Sequence, residues 1–192
     1  MPVTTRMINR YQYQHEVAVM KNADDFANNA WTAMCNLYRA PKVAQFCVRL
    51  QDAYGIDVPL LLLLFYADQQ GIGTDIQDLN AFLTDAASWR EDVVKPLRTI
   101  RQGMKGRYTE HDEVQLRETV KALELRAEQV HVSRLARSFM SHAKPTDESQ
   151  ATETYLKSCG VPEGQRGAAL LFFQAAAHGA HIQNHDQGRR LL

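Results

Sequence analysis

The run from Val58 to Ala67, VPLLLLLFYA, constrains this chain more than any other segment. A helix that is apolar on every side has no surface for water to cover, so other helices must surround it. Ten residues are about half of the ~20 that a bilayer span requires, which makes the run a core helix rather than an anchor. Fully burying each of its five leucines is worth roughly 1.5–3 kcal/mol. Asp57 stands where an N-cap belongs, and Pro59 falls in the first turn, where its missing N–H does little harm. Gly71 and Gly73 end the helix at about Gln70.

The segments on either side repeat apolar residues at spacings of three and four. Phe26, Ala30, Ala33, Met34 and Leu37 mark one helix after Asp24 and Asp25, and Val43, Phe46, Cys47, Leu50 and Tyr54 mark a second, with Gly55 placed for a left-handed C-cap. Ile76, Leu79, Phe82 and Leu83 follow Thr74. Trp89 to about Lys105 carries Val93, Val94, Leu97 and Ile100, with Pro96 expected to kink it or mark a boundary. From Glu110 to about His142, Leu116, Val120, Leu123, Ala127 and Val130 form a coiled-coil-like seam that turns polar at Arg134 and Arg137. Leu125, Val132, Leu135 and Phe139 indicate a second packing face on the same helix. Alternating β-branched stretches with hairpin turns are missing, so no sheet is expected and the predicted fold class is all-α, a multi-helix bundle around a buried central helix.

The expected organisation is an N-terminal arm over 1–23, a helical core over 24–142, a polar linker over 143–150, a C-terminal helical hairpin over 151–183 and a flexible tail over 184–192. In the hairpin, Tyr155, Leu156 and Cys159 precede a turn at Gly160 to Pro162, and an apolar helix follows over Ala168 to Ala177. Basic and acidic residues balance at 22 each, so no global field draws the molecule to nucleic acid or an anionic membrane. Cys35, Cys47 and Cys159 have neither disulfide-framework nor metal-site spacing and read as reduced thiols. The first twenty residues lack a continuous apolar h-region, and cytoplasmic residence is expected.

Trp31, Leu37, Tyr38, Pro41 and Val43 precede the runs LQDAYGIDVPLLLLLFYA and WREDVVKPLRTIRQGMKG and the later VKALELRAE. In this order and at these distances they resemble the bacterial, uncharacterised DUF2390 family, over roughly Phe26 to Ala136. Pro59 departs from that pattern, where a polar residue is usual. The resemblance implies an α-helical bacterial protein and supplies no activity or catalytic residue.

Three constellations could carry chemistry. Asp52, Asp57 and Asp68, with Gln51, surround a glycine-containing turn and the central helix; carboxylates against apolar walls titrate high and can act as acid, base or cation ligand. Capping is the simpler role for Asp57. Lys95, Arg98, Arg101 and Lys105 fall three and four apart along one helix and could grip phosphate or an acidic surface. Internal complementarity is the alternative, since Ser88 to Lys144 carries 12 basic against 8 acidic residues while Asp57 to Ala87 carries five acidic and no basic. His178, His181 and His185 have helical spacing without a companion carboxylate motif. No catalytic residue, metal or cofactor is expected. The leading expectation is a non-enzymatic protein-interaction or regulatory module, with another protein as partner rather than nucleic acid or membrane. A carboxylate-based enzyme or small-ligand site is the first alternative and phosphate or nucleic-acid binding the second.

Overall fold

The computed structural model describes residues 23–189 apart from 75 and 147–149, and side chains as far as His178 apart from a few within 76–86. The expected arm, the middle of the linker and the last three tail residues lie outside that range. The fold is all-α. The helices are α1 (Ala23–Arg39), α2 (Val43–Tyr54), α3 (Val58–Gln69), α4 (Ile76–Trp89), α5 (Lys95–Met104), α6 (His111–His142), α7 (Ala151–Ser158) and α8 (Glu163–Arg189).

Helix α3 is the centre. Leu60 through Phe65 and Ala67 are all buried, and α3 packs against α1, α2, α6 and α7. Asp57 caps it, its carboxylate accepting from the Leu60 N–H at 3.4 Å. Gly55 closes α2 at φ 66°, a left-handed conformation that a Cβ would strain, and its N–H returns to the Gln51 carbonyl at 2.8 Å. The chain bends by 117° between α2 and α3. Among the described residues no single helix is long and apolar enough to cross a membrane.

Aromatic rings tie the layers together. Phe26 of α1 stacks on Phe139 of α6 at 6.3 Å, and Phe82 of α4 meets the edge of the same ring at 5.8 Å. Phe173 of α8 lies 5.5 Å from both Phe46 and Phe65, which seats the C-terminal helix against α2 and α3. Such contacts add about 0.5–1.5 kcal/mol each to the area they bury.

Pro96 marks a boundary, as expected, standing in the first turn of α5. Its missing N–H is accommodated by a π-helical turn over Arg90–Val94, in which the Lys95 N–H reaches the Arg90 carbonyl five residues back. Three features differ from the sequence expectation. A two-residue antiparallel pair joins Ile72–Gly73 (β1) to Lys144–Pro145 (β2), because the chain leaving α6 returns alongside the α3–α4 turn. The row expected as a seam on α6 is divided: Ala127 is buried, while Leu116 and Leu123 face solvent and Leu125 does too. Finally, α8 runs on to Arg189, through most of the stretch expected to be tail.

Candidate functional site

Between α5 and α6 the packing layer is ionic. Arg98 and Arg101 sit one turn apart on α5, as Glu124 and Glu128 do on α6, so the two pairs meet face to face. Arg98 donates from Nε to Glu124 at 3.0 Å, from Nη2 to Glu128 at 2.5 Å and from Nη1 to the Gln51 side-chain oxygen of α2 at 2.9 Å. Arg101 grips Glu124 through both Nε and Nη2. Glu124 is only 5% exposed. Burial alone would raise its carboxyl, but the hydrogen bonds from Arg101 and Arg98 outweigh burial and hold it below the ordinary value. Glu128 goes the other way: its burial outweighs Arg98 and pushes the carboxyl up.

One turn further along the same face of α6 stands His131, 1% exposed. Its Nε2 lies 2.8 Å from Asp57 Oδ2. The Asp57 N–H donates to the Tyr155 hydroxyl of α7 at 2.8 Å, and Arg90 approaches the same Asp57 carboxylate at 3.7 Å while donating to the Gly55 carbonyl. Burial, and then the Asp57 charge, push the Tyr155 phenol up. Asp57 thus links four elements: the α2–α3 turn, the π turn, α6 and α7.

Beside His131 lies a cleft of about 260 Å³ between α4 and α6. The Trp89 indole forms part of its wall and donates to the Ala127 carbonyl at 3.1 Å, with the Arg134 guanidinium 5.3 Å from the ring centroid.

The carboxylates singled out from the sequence go separate ways. Asp57 joins the His131 network, and Asp52 is exposed on α2. Asp68 receives the Ala151 and Thr152 N–H groups at 3.1 and 3.0 Å, capping α7 from across the core. Of the basic row, Lys95 pairs with Glu91 at 2.6 Å, Arg98 and Arg101 are held by the two glutamates, and Lys105 is exposed at the end of α5. His178 is exposed; the side chains of His181 and His185 lie outside the described residues. Among the described residues no group of three or more metal-ligating side chains converges. Sequence reasoning did not single out His131, Glu124, Glu128, Arg90 or Tyr155. The signal for three of them was present: Glu124, Glu128 and His131 recur at four and three on the face that carries Ala127, which marks a polar layer pointing inward.

Fold and site together define an all-α protein whose central apolar helix is flanked by a buried arginine–glutamate clasp and an aspartate–histidine pair. The chain belongs to the family described as protein of unknown function (DUF2390), whose model matches residues 29–135 and so takes in the whole clasp and the Asp57–His131 pair. No curated protein and no solved structure matches the chain.

Proposed function

We propose that the protein is a non-enzymatic interaction module that docks another protein on the exposed flank of α6 that carries Leu116 and Leu123. The observation that supports this is an inversion of polarity. The clasp lies between α5 and α6, and α5 buries no residue, whereas Ile100, Tyr108, Val114, Leu116, Leu123 and Leu125 are large apolar side chains that are exposed. Leu116 and Leu123, 57% and 55% exposed, are seven residues apart and therefore share a stripe. Leu125 and Val114, eleven apart, share the opposite flank. Scattered exposed leucines are ordinary, and Leu171, Val48 and Tyr38 are exposed elsewhere, but two aligned on one stripe beside an ionic layer are suited to docking.

The clasp suits this role by fixing the orientation of α6 while its apolar atoms stay free for a partner. Capture of binding proteins on immobilised wild-type chain, compared with Leu116→Glu/Leu123→Glu, tests the reading. Both positions are exposed, so the variant keeps its helical circular dichroism. Loss of the wild-type partner set is expected; recovery of the same partners at the same yield overturns the stripe as the docking surface.

A further inference from the structure

We propose that the occupant of the Leu116–Leu123 stripe is a second copy of this chain, its α6 paired antiparallel with the first about a two-fold axis at Thr119. The inference rests on the docking role proposed for that stripe and names its partner. A helix pairs with its own copy when its apolar stripe and its flanking charges both read alike from either side of one point. Leu116, Val120 and Leu123 follow one another at four and three, the spacing of a two-stranded seam. The two leucines are exposed and Val120 is half-buried. With the axis at Thr119, the Leu116 of each copy packs beside the Leu123 of the other, and the two Val120 side chains meet between them.

The charges obey the same symmetry. Asp112 and Arg126 stand seven residues to either side of Thr119, two helical turns, so all three lie along one flank of the seam. Both ions are exposed. Arg126 donates to Gln129 of its own helix, and neither ion has a partner of opposite charge among the described residues. Antiparallel pairing sets the Asp112 of each copy level with the Arg126 of the other, which makes two equivalent ion pairs. A parallel, in-register pair would level like charges with like, so the charge order selects the antiparallel arrangement. The free length of the helix fits as well. Helix α6 begins at His111, and its stripe closes at Ala127, which is buried and whose carbonyl takes the Trp89 indole N–H. These two residues are equidistant from Thr119, so each copy's helix starts where the other's stripe becomes covered. Helix α5 lies beside the stripe, holding Glu124, and leaves Leu116 and Leu123 exposed. The overlap is about 25 Å of helix, a small contact of the kind found in weak complexes, so the dimer forms and dissociates with concentration.

Sedimentation equilibrium of the full chain at low salt, over roughly 1 μM to 1 mM, is expected to show the mass rising from one chain towards two. Leu116→Glu/Leu123→Glu should hold it at one. Asp112→Arg and Arg126→Asp each set two like-charge pairs across the contact and should weaken association by about tenfold. Asp112→Arg/Arg126→Asp reverses both signs and should restore it. All four positions are exposed, so helical circular dichroism is retained throughout. A wild-type chain that stays monomeric over the whole range overturns the second copy. If captured proteins are still lost from Leu116→Glu/Leu123→Glu in that case, the docking role stands with a different occupant. Dimers that survive Leu116→Glu/Leu123→Glu overturn the stripe as the seam, and no recovery in the double reversal overturns the antiparallel register.

Discussion

Glu124→Gln is the sharpest probe of the ionic layer. The carboxylate accepts three hydrogen bonds from Arg98 and Arg101. Glutamine preserves the shape and one acceptor but turns an amide donor towards a guanidinium. Breaking a fully buried ion pair costs about 3–5 kcal/mol, because the surviving charge is stranded. The Arg98 and Arg101 side chains keep 20% and 22% of their exposure, so water reaches them and the expected loss falls to about 2–3 kcal/mol. Urea unfolding followed by helical circular dichroism at pH 7 measures it. If stranded cations are the cause, Glu124→Gln/Arg101→Met must lose less than the sum of its single variants. The pH profile supplies a second check. A folded-state carboxyl below the usual 4.5 contributes stability that is complete above that value and lost as pH falls through the folded value, which is the sense for Glu124. Glu128, raised by burial, has the opposite sign: its contribution is complete below 4.5 and lost as pH rises through its folded value. Glu124→Gln should therefore flatten the acid limb. A loss under about 0.5 kcal/mol, or strict additivity with Arg101→Met, would refute the reasoning.

Further outcomes follow from single contacts. Tyr155→Phe orphans the buried Asp57 N–H and should cost about 1–2 kcal/mol in the same urea assay, with an unchanged value showing that the hydroxyl contributes nothing. Asp68→Ala removes the acceptor for the first two amides of α7; about 1 kcal/mol is expected, together with faster hydrogen exchange at Ala151 and Thr152. Leu63→Ala, fully buried in α3, should cost about 2–5 kcal/mol, and a smaller thermal shift would mean that the surrounding helices close the cavity. Burial pushes the Cys47 thiol up to about 12, so at pH 8 a disulfide reagent should label it only as fast as the chain unfolds. Prompt labelling in the absence of denaturant would contradict that burial.

The central helix, the cap at Asp57, the Gly55 turn and the α7–α8 hairpin were all legible in the sequence because each is written in residues three or four apart. Their signals are hydrophobic period, capping chemistry and left-handed glycine, which depend on the chain within one or two turns. The ionic clasp was only half legible. Arg98 and Arg101 stood out as a row, but nothing local says that Glu124 and Glu128 face them, since that depends on how α5 and α6 cross. His131 and Asp57 are 74 residues apart, and an isolated histidine on an amphipathic helix carries no mark of its partner. The same limit applies to Leu116 and Leu123. Periodicity places them on one stripe, but whether the stripe is covered depends on where the neighbouring helices end. The helices and the burial of α3 follow from local residue patterns, because these rest on short-range backbone geometry and on apolar area. Which charges meet, which leucines remain outside and which cleft His131 lines follow from how the helices cross, because those depend on distances between helices that the local pattern does not encode.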